Sequence, residues 1–156
     1  MSVIRFWRKD FSYWLTQNGL RRLLRLAKRL HGDEDKDCRV IDQALALYAV
    51  AVDWPAQPFF SLDSVGDYQR INLTDYILGP CGRLAYQRDL YCSWREWRAI
   101  RRLLAKSGDE NISVMFERSL ELFELVLDKK LPELFMLDKE LELVPTEIIF
   151  GTRLVF

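Results

Sequence analysis

Apolar residues recur along most of this chain at helical spacing. Trp7, Phe11, Trp14 and Leu15 fall at i, i+4, i+7 and i+8, which predicts a helix over Ser2 to Asn18. A short leading strand through Val3 and Arg5 is the alternative. Gly19 weighs against one unbroken helix into the next segment. From Leu20 to Leu30 the amphipathic pattern is cleanest. Leu20, Leu23, Leu24, Ala27 and Leu30 share one side, and Arg21, Arg22, Arg25, Lys28 and Arg29 share the other. His31-Gly32 is predicted to end this helix.

Gly32 to Asp37 reads as a solvated acidic turn, with Asp35 or Asp37 capping a helix from Cys38 to Val52. That helix is almost wholly apolar after Asp42 and is expected at the centre of the core. Trp54-Pro55 stops it, and the stretch to Gly66 reads as an ordered loop. A short helix is expected from Tyr68 to Leu78, a turn at Gly79-Pro80-Cys81-Gly82, and another short helix from Arg83. Ser93 then caps a second basic helix, with Trp94, Trp97, Ile100 and Leu104 opposite Arg95, Arg98, Arg102 and Lys106. The longest helix is predicted from Asp109 to about Lys130. Its stripe of Ile112, Met115, Phe116, Leu120, Leu122, Phe123, Val126 and Leu127 opposes a row of carboxylates. After Pro132 a short helix to about Lys139 is expected to give way to extended chain, with a hairpin around Pro145-Thr146. The whole predicts a mainly α fold, a single helical domain over residues 1–156. It would be a bundle of about five to seven helices with a small β element at the C-terminus.

Composition agrees with one folded unit: 156 residues, 49% hydrophobic, support one core and no disordered tail. Formal charge is zero, yet its distribution is uneven. Met1 to Lys106 holds 18 basic against 12 acidic residues, and Ser107 to Phe156 holds 5 against 11. Such asymmetry fits a charged partner, or basic and acidic helices that cancel side by side. Three irregularly spaced cysteines, Cys38, Cys81 and Cys92, with no secretory leader pattern, suggest a reducing cytoplasm. No apolar run approaches the ~20 residues of a membrane span.

Catalytic and metal-binding patterns were sought and fail. Asp33 to Asp37 begins like a calcium loop, but Cys38 stands where glycine is needed and Ala44 where a bidentate Glu is needed. The only histidine, His31, excludes most triad and zinc schemes. Cys81 lacks a CxxC partner, and its glycine-flanked turn lacks the lysine and spacing of a phosphate loop. The sequence therefore implies no catalytic residues, no metal, no cofactor and no enzyme.

What remains is charged surface. Glu110, Glu117, Glu121, Glu124 and Asp128 line one helix face, with like charges four residues apart that repel by a few tenths of a kcal/mol, a rough figure per pair. The leading expectation is a cytoplasmic protein-binding protein of the toxin-neutralising, inhibitory or adaptor kind. Its acidic face would cover a basic surface on a protein partner, assisted by Trp54, Phe59 and Phe60 in the proline-rich loop. A solvated face, or one paired with Arg95, Arg98, Arg102 and Lys106, is the plainer account. The alternative function is nucleic-acid binding through Arg21, Arg22, Arg25, Arg29, Arg95, Arg98 and Arg102. Nothing in the sequence sets an oligomeric state.

Overall fold

The structure is a computed structural model describing residues 8–52 and 58–146. Four helices stand where the helical pattern is strongest: α1 (Gln17–His31), α2 (Asp37–Val52), α3 (Trp94–Ser107) and α4 (Ile112–Leu127). Their ends follow local chemistry. Thr16, Ser93 and Asn111 cap α1, α3 and α4, each side chain accepting an amide of the first turn. Ser93 and Glu96 complete a reciprocal capping box. Gly32 and Gly108 close α1 and α3 in the left-handed region at φ 73° and 74°, where a Cβ would be strained.

The remainder corrects the mainly α expectation. Among the described residues six strands, β1 (Arg8–Leu15), β2 (Phe59–Leu62), β3 (Tyr68–Ile71), β4 (Tyr86–Ser93), β5 (Leu134–Leu137) and β6 (Leu143–Thr146), form two antiparallel sheets, so the fold is α/β. β1 and β4 make a two-stranded ribbon, and the other sheet has the order β3-β2-β5-β6. Of the three segments expected as short helices, the one from Tyr68 opens with β3 and keeps a single 3-10 turn at Leu73–Tyr76, those at Arg83 and Pro132 lead into β4 and β5, and the loop before Gly66 holds β2.

The first segment shows why. Phe11 and Leu15 are four apart, a spacing that suits a helix face and one strand face alike. Tyr13 decides it: Tyr13 and Leu15 are buried while Trp14 between them is exposed, a period of two. β4 repeats the alternation, with Leu90 and Cys92 inside and Asp89 and Tyr91 outside. The hairpin expected around Pro145-Thr146 is not found among the described residues: β5 and β6 pair across a turn at Asp138 to Glu142, and Pro145 lies within edge strand β6, where a missing amide is tolerated.

α2 is central, burying Val40, Ile41, Ala44, Leu45, Leu47, Tyr48 and Ala51. It packs on α4, whose Met115, Phe116, Leu120, Leu122 and Phe123 are fully enclosed. The ribbon covers one flank through Tyr13, whose ring meets Phe116 edge-on at 4.8 Å, and Phe11, which lies 4.6 Å from the Trp97 ring of α3. Phe59 and Leu134 bring the four-stranded sheet onto the same core.

Candidate nucleic-acid interface

The acidic row of α4 does not form a free ridge. Glu117 is 3% exposed and accepts the Thr16 amide at 2.5 Å, closing the start of α1. Glu121 holds a loop: its two oxygens accept the amides of Leu78 and Gly79 at 2.9 and 3.0 Å. Glu124 binds Arg22 and Arg25 at 3.2 and 2.5 Å, and Asp128 binds Arg29 at 2.7 Å. The Arg29 hydrogen bond holds Asp128 below the usual carboxylate range. Only Glu110 of the five is exposed without a partner among the described residues.

These pairs advance together, residue 16 with 117, 22 with 124 and 29 with 128, so α1 and α4 run parallel. Part of the uneven charge of the sequence cancels at this seam. Three of the four arginines expected of a basic α1 are therefore engaged, and Arg21 alone of them stands exposed and unpaired among the described residues.

α3 differs. Ile100 and Leu103 face inward, leaving Arg95, Arg98, Arg101 and Arg102 exposed on the outer side. Among the described residues none of these four guanidiniums meets a carboxylate; Arg102 Nε only donates to the Arg98 carbonyl at 3.4 Å. Arg95 and Arg98, Arg98 and Arg101, and Arg98 and Arg102 are neighbours on the helix surface, so the row repels itself. A single helical stripe of the sequence holds Arg95, Arg98 and Arg102 and misses Arg101; the adjacent stripe carries the same charge.

The loop aromatics separate. Trp54 lies outside the described residues. Phe59 is core, and Phe60 lies on the outer face of its sheet with the Arg70 guanidinium 5.9 Å from its ring. That face also carries half-exposed Leu62, Tyr68 and Leu137.

Two enclosed polar clusters serve the fold. Arg88 Nη2 donates to Asp37 Oδ2 at 2.6 Å, tying the ribbon to the start of α2, and the second Asp37 oxygen accepts the Cys38 amide at 3.0 Å. Tyr48 donates to Asp109 Oδ2 at 2.7 Å while Arg118 Nε lies 3.1 Å from the Tyr48 oxygen. Burial first, then Asp37 for Tyr13 and Asp109 for Tyr48, pushes both phenols far up, so they remain protonated donors. Burial followed by the Asp37 charge also raises the Cys38 thiol, which disfavours a thiolate. Asp138, Glu140 and Glu142 can bring carboxylate oxygens within 4.8 Å of one another. The turn explains this proximity, because Asp138 Oδ1 accepts the amides of both other residues at 2.9 Å.

No helix among the described residues is long and apolar enough to cross a membrane. The chain matches no family model, no curated protein and no solved structure.

Proposed function

We propose that this protein binds nucleic acid through the outer face of α3. The observation that carries the reading is the contrast between two basic helices. Arg22, Arg25 and Arg29 of α1 are neutralised by Glu124 and Asp128, whereas Arg95, Arg98, Arg101 and Arg102 lie close together with no carboxylate within ion-pair distance among the described residues. A row of unneutralised guanidiniums is stabilised by a polyanion, which supplies phosphates and releases counterions. The acidic face of α4 is not the basis of the reading, because its carboxylates already serve the fold.

Labelled single-stranded and duplex oligonucleotides titrated into the protein at 50 to 200 mM salt, roughly the range where phosphate contacts are revealed, test this reading. Binding should weaken steeply with salt. The R95A/R98A/R102A variant should lose at least about tenfold in affinity and flatten the log-log salt slope by roughly 2. Its circular dichroism should be unchanged, since the three side chains are exposed. Arg29→Ala should leave affinity as it is. Absence of binding, or equal binding by the triple variant, overturns the proposal.

A further inference from the structure

The ribbon beside α3 presents a second, chemically different surface. In its register Asp10 faces Tyr91, Ser12 faces Asp89 and Trp14 faces Gln87, and directly opposed residues project to the same side. Tyr91 is 60% exposed and Trp14 43% exposed, so two large rings stand in solvent on the face away from the core. Between them the Ser12 hydroxyl donates to Asp89 at 2.7 Å, and the Gln87 amide donates to Ser12 at 2.9 Å.

This face cannot share the task of α3. Asp10 and Asp89 repel phosphate, and rings with carboxylates beside them are poorly suited to an anionic lipid surface. A base has the opposite character: a neutral π-face that stacks on aromatic rings, and exocyclic amines that donate to carboxylates. The chain passes from β4 into α3 at Ser93, so Tyr91 stands four residues before Arg95, with Trp94 (40% exposed) between them. Tyr91 and Trp14 are separated by four strand positions, ~13 Å at strand rise, which a few nucleotides span.

We propose that the ligand is single-stranded nucleic acid, its phosphates on the α3 arginines and its unpaired bases stacked on Tyr91 and Trp14 of the ribbon. This inference rests on the nucleic-acid reading above and adds the strandedness of the ligand. A duplex hides its base faces and offers these rings nothing to stack on.

The test is fluorescence anisotropy with a labelled mixed-sequence oligonucleotide, single-stranded and annealed to its complement, and with phosphatidylserine vesicles as a third ligand. The wild type should favour the single strand by about tenfold or more. Tyr91→Ala and Trp14→Ala should each weaken single-strand binding by about tenfold, the scale of one lost stacking contact, and leave duplex binding unchanged. Tyr91→Phe should restore it, because stacking needs the ring and not the hydroxyl. Equal affinity for both forms, or wild-type binding by both alanine variants, overturns the inference while leaving the α3 reading intact. If neither form binds, or only vesicles do, both fall.

Discussion

Gly19 lies against Glu117: a Cβ at residue 19 would overlap the carboxylate that closes the first turn of α1. Glycine in a helix ordinarily costs about 1 kcal/mol relative to alanine. Here the missing side chain lets a carboxylate from α4 reach the positive end of α1, accept the Thr16 amide and stay buried. Gly19→Ala should therefore destabilise, by roughly 1 to 3 kcal/mol, although propensity alone predicts a gain. Urea denaturation checks the sign. In a Glu117→Ala background the same substitution should be much less harmful, and equal effects in both backgrounds would show that the two residues are uncoupled.

Charge reversal along α4 follows from the same seam. Were the row a free docking face, E117K/E121K/E124K would fold normally. With Glu117 buried, Glu121 holding two loop amides and Glu124 between Arg22 and Arg25, the triple variant should unfold, since an unpaired buried charge alone costs roughly 3 to 5 kcal/mol. Far-ultraviolet circular dichroism and thermal melting decide this. A folded triple variant would restore the docking reading.

Arg88 and Asp37 join the ribbon to α2. Arg88→Ala leaves the Asp37 carboxylate enclosed with only the Cys38 amide as a donor, and should cost about 3 kcal/mol. Arg88→Ala with Asp37→Asn should recover part of that loss, which a thermodynamic cycle by chemical denaturation measures.

Asp42 makes stability depend on pH. Its side chain is exposed, yet lost hydration along α2, and then the Glu96 charge, push its carboxyl up to about 6. Because the folded value exceeds the ordinary one, the protonated form is favoured by folding. That contribution is complete below about pH 4, in the ordinary carboxylate range, and fades as pH rises through about 6. Asp42→Asn should therefore raise the melting temperature modestly at pH 7.5, with the advantage shrinking toward pH 4. A gain that is constant across this range would argue against the shifted carboxyl.

The helices were legible because each carries its own signals. Ser93 begins one of them, Gly32 and Gly108 end two, and the apolar stripes run for three or more turns, whereas the caps at Thr16 and Asn111 emerge only in the structure, since the pattern placed residue 16 inside a helix and opened the last helix at Asp109. The strands were not, because four residues such as Phe59–Leu62 hold too few periods to distinguish a strand from a loop, and Phe11 with Leu15 satisfies both geometries. The α3 arginines were visible as a stripe. Tyr91 and Trp14 were not, because their exposure depends on the alternation of two strands 77 positions apart at Ser12 and Asp89.

By itself the chain determined roughly where four helices form and that its charge is divided between an earlier basic and a later acidic part, since both depend on residue types a few positions apart or on simple counting. Which charges remain outside was decided only when α1 lay parallel to α4. A carboxylate reads the same in sequence whether water or a guanidinium faces it. Packing drew Glu124 and Asp128 into pairs with α1 and left the arginines of α3 without them, because ion pairing depends on distance through space and not on separation along the chain.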